Sequence, residues 1–216
     1  MHFWHLITRL GEAEILLPLV LLVTLALLRR AETRPIALRW VLLLALAVAL
    51  TTASKLAFIG WGIGSAALDF TGVSGHAMFA AAVYPLLLDA LAGQAPRWAG
   101  RLAVAFGCML ALLVGISRIV VGAHSASEVV AGLLLGAAVS ALVLAGGRLQ
   151  PPRIGPLWPA AAALWLAFMP LQAPASRTHA AVTRVALALS GHAKPWTRHD
   201  LRRPERAEPA RPDTLT

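Results

Sequence analysis

Ser117-Arg118, five residues, His124, three residues and Glu128 set a cation, an imidazole and a carboxylate at fixed intervals beside an apolar run. A second fragment, Ser74-Gly75-His76, opens an earlier apolar run and brings another histidine to what should be the same end of its helix. Imidazole is the side chain best placed to exchange protons near neutral pH or to act as a nucleophile, and a guanidinium is suited to phosphate oxygens. Two histidines with an arginine therefore point to phosphate chemistry.

Each of these residues also has a plainer use. Ser125-x-x-Glu128 reads as a capping box, in which Ser125 caps a helix and Glu128 reaches back to its backbone N–H. Capping does not explain Arg118 and His124, which are costly at the edge of an apolar span and so are functional candidates. Ser74 reads as a helix N-cap, and Gly75 as a residue that lets backbone approach a ligand. A helix start of this kind also attracts anions, so Ser74 and Gly75 placed opposite Arg118 would suit a phosphate. Lys55 closes another apolar run, where it either snorkels to headgroups or reaches the same anion. The Gly60-Trp61-Gly62-Ile63-Gly64 loop follows no strand and is not a nucleotide fingerprint. Asp69, close to Ser74 in sequence, reads as interfacial in preference to a supporting partner of the site, and His2, His5, His179, His192 and His199 as interfacial or tail residues.

The elements that must position these residues belong in a bilayer. The chain has 216 residues, 58% hydrophobic and 13% charged, with a mean hydropathy of +0.72, far too apolar for an ordinary soluble domain. Charges divide it into apolar runs at 15–28, 40–54, 70–88, 102–117, 129–147 and 154–176. The expectation is an all-α, polytopic membrane bundle of about six helices over 1–172. The first two runs hold only 14 and 15 uncharged residues, so flanking residues must snorkel or the bilayer must thin. No basic segment precedes the first run, which is expected to be retained rather than cleaved. Residues 173–216 form a basic Pro/Arg-rich tail, expected to be partly disordered, with 178–190 able to form a short interfacial helix.

The net charge of +9 follows topology rather than a nucleic-acid surface. Arg29, Arg30, Arg34, Arg39, Arg97, Arg101, Arg148 and Arg153 fall after the first, third and fifth runs, whereas the alternate loops hold only Lys55 and Arg118. The positive-inside rule makes the arginine-rich loops cytoplasmic and puts Lys55, His76, Arg118 and His124 on the outer face. If the sixth run crosses fully, the tail joins them outside. Arg outnumbers Lys 17 to 2 in an Ala- and Leu-rich chain, an association that points to a bacterial inner membrane. Cys108 is the sole cysteine, so neither a disulfide framework nor a cysteine metal site is available.

These motifs resemble those of the type-2 phosphatidic acid phosphatase superfamily, whose members carry K-x6-R-P, P-S-G-H and S-R-x5-H-x3-D on a helical bundle. The third motif matches from Ser117 to Glu128 with Glu for Asp, and the second survives as Val73-Ser74-Gly75-His76 without its proline. In the first, Lys55 is in place, but Gly62 and Ile63 stand where Arg and Pro would be. The resemblance implies that His124 is the nucleophile, forming a phosphohistidine, that Glu128 holds its other ring nitrogen, and that His76 protonates the leaving alkoxide. It further implies that Lys55, Arg118, Ser74 and Gly75 bind phosphoryl oxygens, with no metal and no cofactor. The missing arginine removes a cation that can be worth several kcal/mol at a phosphoryl site. Lys194 or Arg198 could replace it if the tail is outside.

The implied function is a membrane phosphoric monoester or diphosphate hydrolase, acting on a lipid phosphate or isoprenoid diphosphate at the periplasmic face. Two alternatives remain: a non-catalytic relative that binds anions or lipid headgroups, and a lipid phosphotransferase. The partners implied are the lipid substrate and the membrane, not nucleic acid.

Overall fold

Within a bilayer an apolar run must satisfy its backbone internally, and the helix is how a single segment does so. The computed structural model describes residues 2–93, 95–149, 158–172 and 178–202, and these are helical apart from loops and one isolated bridge between Ser65 and Phe70. The order is α1 (His2–Arg9), α2 (Ala13–Leu28), α3 (Arg34–Trp61), α4 (Gly75–Ala92), α5 (Arg97–Val120), α6 (Ala126–Leu144), α7 (Trp158–Gln172), α8 (Thr178–Ser190) and α9 (Arg198–Arg202).

Helices α3 to α6 are each long and apolar enough to cross a membrane, and α1 with α2, bent by 40° at a short break, adds a fifth if the pair is one broken span. The charge-free count underestimated the second run. Helix α3 continues through Arg39 and Lys55 to reach 28 residues, as snorkelling side chains permit. The expected sixth run contributes only α7, at 15 residues, short for a span. Its flanks, 150–157 and 173–177, lie outside the described residues.

Helix α4 is the hub. Of its most apolar window 67% is buried, against 28% for α3 and for α5, and its main neighbours are α5 and α6. Small residues set both contacts. A Cβ at Gly132 or Gly136 of α6 would strike the carbonyl oxygens of Ser74 and Met78, and one at Gly107 of α5 would strike the backbone at Pro85. In lipid, such close backbone approach replaces the hydrophobic drive that holds soluble helices together. Pro85 lacks the N–H that would bond the Ala81 carbonyl. Ser140 of α6 donates its hydroxyl to that carbonyl at 2.6 Å instead. Outward residues such as Leu42, Leu46, Phe106, Leu112, Leu134 and Leu142 remain exposed, as a lipid-facing surface requires.

The two ends of the bundle differ in charge. At one end Arg148 pairs with buried Asp89 at 3.0 Å and donates to the carbonyl of Ala95, and the Arg39 guanidinium lies beside Gly146. At the other end the starts of α4 and α6 meet the end of α5. There α8 packs along α3, and Trp196 and Leu201 join Phe58, Ile59 and Ala186 in a small apolar cluster. Within 178–202 the segment expected to be a tail is thus folded onto this end of the bundle.

Candidate active site

The spacing in Ser117-Arg118-x5-His124 is the length of a helix terminus and its turn. The Arg118 carbonyl, at the end of α5, accepts from the N–H groups of Ala123 and His124 at 3.0 and 3.2 Å. Gly122 makes the reversal with a φ of 70°, a left-handed conformation suited to glycine. Four residues after His124, Glu128 sits in the first turn of α6, where a residue at i+4 lies on the same face. The Ser74 N–H donates to the Glu128 carbonyl at 3.0 Å, which ties the start of α4 to α6 and brings His76 to the same end.

Glu128 is fully buried and surrounded by donors. One oxygen accepts from Ser125 N–H at 3.1 Å and contacts His124 Nδ1 at 2.7 Å. The other accepts from the N–H and the hydroxyl of Thr71. Arg198 Nη2 lies 2.9 Å from both oxygens. The capping box expected from the sequence is present, with both of its bonds, and the same carboxylate also holds the histidine. With Nδ1 engaged by an ionised carboxylate, the neutral ring carries its proton there and keeps the Nε2 lone pair. Burial pushes the His124 pKa below the ordinary histidine value, against the opposing pull of Glu128.

A cavity of about 750 Å³ gathers Lys55, Gly75, His76, Arg118, His124 and Arg198 along its walls. Every cation and histidine expected to act is therefore at one site, and Glu128 lies behind His124. Ser74 precedes α4 as expected, but its side chain makes no capping bond, and the buried hydroxyl has no hydrogen-bond partner among the described residues. Its contribution here is the backbone contact to α6. Gly75 does leave room: a Cβ there would come no closer than 3.8 Å to Lys55 Nζ, so the open space faces the cavity. Arg118 donates through Nη1 to Thr8 Oγ1 at 2.8 Å, while its Nε is buried without a partner among the described residues. Among those residues no group of three or more His, Cys, Asp or Glu side chains gathers as metal ligands would.

Sequence reasoning missed several members of the site. Thr71 and Thr8 bear on Glu128 and Arg118 from distant segments, and no motif marks them. Asp69, read as interfacial in preference to a supporting partner of the site, is bonded by Arg198 and Arg202. His179 of α8 lines the cavity, and His192 Nδ1 lies 2.7 Å from the Gly60 carbonyl oxygen. Of the two tail cations named as substitutes, Arg198 reaches the site, whereas Lys194 is exposed and is not among the lining residues.

The family model described as "PAP2 superfamily" matches residues 58–150, which takes in both histidine motifs and starts after Lys55. The chain is also 40% identical over 202 residues to a protein of Klebsiella pneumoniae described as "Uncharacterized 22.5 kDa protein in cps region", covering 92% of this chain and 97% of that one. The chain belongs to the PAP2 superfamily. Membership supports a phosphatase-type function, and the apolar helices mark this PAP2 protein as a membrane protein. No solved structure matches it. Within the PAP2 pattern the third motif is the best preserved part of this site, and the first motif the least.

Proposed function

We propose that the protein hydrolyses a lipid phosphate or diphosphate without a metal, through a phosphohistidine at His124, at the outer face of a bacterial inner membrane. The observation that carries this reading is the 2.7 Å contact of His124 Nδ1 with Glu128, which leaves Nε2 for a cavity shared with His76, Lys55 and Arg118. Nε2 attacks phosphorus as the P–O bond to the alcohol breaks, and His76 gives its proton to the departing oxygen. Water then attacks the phosphohistidine, His76 takes a proton from it, and the P–N bond breaks to return the electron pair to Nε2. Phosphate leaves and the histidines are restored. Lys55, Arg118 and the backbone at Gly75, which line the cavity, hold the phosphoryl oxygens, so that much of the catalysis is positioning and electrostatics. The Ser74 N–H, expected to join them, is engaged by the Glu128 carbonyl. Different surroundings separate the two imidazoles: burial keeps His124 neutral while Glu128 orients it, and the charge of the bound phosphate favours the protonated form of His76.

A lipid is favoured because the polar cavity does not stop at the bundle wall. A second, apolar groove of about 960 Å³ runs between α2 and α3, lined by residues such as Leu21, Leu44 and Leu56, and shares Val48, Thr52 and Phe79 with the site. A headgroup can sit by the histidines while its chain stays in that groove. The arginines of the opposite bundle end, Arg39 and Arg148 among them, support a cytoplasmic assignment for that end and an outward-facing site. Candidate substrates are undecaprenyl diphosphate, phosphatidylglycerophosphate and other phospholipid monoesters.

The test is phosphate release by purified protein in detergent with a chelator present, across a panel of these lipids. Release abolished by His124→Ala is expected. Absence of release from every lipid would refute hydrolysis and favour a binding protein, and transfer to an added alcohol without release would favour a phosphotransferase.

A further inference from the structure

The loss of the first-motif arginine and the folding back of the C-terminal segment occupy the same place. Gly62, standing where that arginine would be, ends α3 in a left-handed conformation with a φ of 68°. A Cβ there would lie only 2.8 Å from the Trp196 ring. The Trp196 N–H donates to the Ile59 carbonyl at 3.0 Å, and His192 Nδ1 meets Gly60 at 2.7 Å. A side chain at position 62 and a docked Trp196 exclude each other. Two residues beyond Trp196 the chain delivers Arg198.

We propose that residues 195–198 form an integral wall of the site, and that Arg198 is a positioning residue holding the Glu128 carboxylate against His124. Both Nη groups of Arg198 are committed to that task. Nη2 meets both Glu128 oxygens at 2.9 Å and Thr71 Oγ1 at 3.3 Å, and Nη1 meets the Asp69 carbonyl at 2.7 Å and its carboxylate at 2.6 Å. Glu128 needs such a partner for two reasons. It is fully buried, and a buried carboxylate without a cation is strongly unfavourable. It is also one methylene longer than the aspartate of the family motif, so its carboxylate has an extra rotor to fix. A planar guanidinium contacting both oxygens, itself clamped by Asp69, fixes that rotor. Asp69 is in turn braced by Arg202 at 3.0 Å.

This inference rests on the proposed hydrolysis for its kinetic readout but not for its spectroscopic one. Groups facing His124 are Lys55 of α3, His76 of α4, Arg118 of α5 and Glu128 of α6, with Arg198 behind the last. Removing Arg198 leaves Glu128 less neutralised, which favours the imidazolium of His124. The experiment compares the full-length protein with Arg198→Ala, Arg198→Lys and His199→Ala. In Arg198→Ala, kcat is expected to fall about 10- to 100-fold with KM within about threefold, the range typical of a lost outer partner. The acid limb of the rate profile is expected to move to higher pH. Lys at 198 keeps the charge without the fork and should recover part of the loss, as should guanidinium added to the Ala variant. His199→Ala should match wild type. The His124 titration is read separately by ¹⁵N NMR on histidine-labelled protein, assigned with His124→Gln. An upward shift in Arg198→Ala supports the proposal even if no lipid is turned over. An unchanged titration in a folded Arg198→Ala protein, or a loss confined to KM, overturns it.

Discussion

Replacing Glu128 by Gln keeps the length and volume of the side chain and changes one oxygen into an amide nitrogen. No orientation of that amide satisfies the site. With the amide oxygen toward His124 Nδ1, the NH2 group points at the Thr71 N–H and the Arg198 guanidinium, both of them donors. With the NH2 group toward His124, Nδ1 must accept, so the ring proton moves to Nε2 and the lone pair needed for attack is lost. In serine proteases the corresponding carboxylate-to-amide change lowers kcat about 10⁴-fold through the same tautomer inversion, equivalent to about 5 kcal/mol of barrier. Here the fall in kcat is expected to be about 10³- to 10⁴-fold, since His124 remains partly free to re-orient. The loss of a charge-assisted partner for Arg198, together with a weakened helix cap, costs about 2 to 4 kcal/mol of stability. The assay is single-turnover phosphate release in detergent beside a thermal melt, with the His124 tautomer read from ¹⁵N shifts. A Glu128→Gln protein that is folded and keeps more than a tenth of wild-type kcat refutes the argument that this carboxylate sets the tautomer.

Other consequences are open to measurement. Because burial holds the His124 pKa below its ordinary value, the ring stays neutral to lower pH, and the acid limb of kcat/KM is expected below about 6.5. A limb above about 7 would contradict the burial argument. Gly75→Ala meets nothing closer than 3.8 Å and should fold normally, yet its methyl group narrows the phosphate space beside Lys55 and should raise KM several-fold; unchanged KM would exclude phosphate from that spot. Gly136→Val forces α6 away from the Met78 carbonyl and should lower stability by about 1 to 3 kcal/mol, seen as a reduced Tm together with reduced activity. At the far end, Asp89→Ala strips Arg148 of its carboxylate and the Leu149 N–H of its acceptor and should cost about 3 kcal/mol, with kcat in the surviving folded protein near wild type.

What the sequence made legible was local. Ser117 to Glu128 is one helix end, one turn and one helix start, so the intervals between the residues determine their relative placement. Ser74-Gly75-His76 adds one long-range step, supplied by the requirement that both helices begin at the same membrane face. Thr71, Thr8 and Asp69 were not legible because their contacts span 57 to 133 residues and depend on loop paths that no periodicity encodes. Two helices differ in extent from the expected runs. Counting uncharged residues cut α3 short at charges that snorkel, and at 154–176 an apolar run yielded only a short helix.

Arg198 and Glu128 show why a structural and a functional reading of one residue need not compete. The capping box accounts for Ser125 and Glu128 completely as helix chemistry, and both of its hydrogen bonds are made. A carboxylate has about four acceptor positions, however, and the box uses only one of Glu128's. Those that remain take His124, Thr71 and Arg198. The cap makes the functional use economical, because a side chain folded back over its own helix start has lost part of its rotamer freedom before it meets the histidine, and Arg198 fixes what remains. The same reasoning applies to the tail: basic, Pro-rich segments are usually solvated, but one that carries a tryptophan, with a glycine standing opposite in place of a side chain, has a docking partner that composition alone does not display.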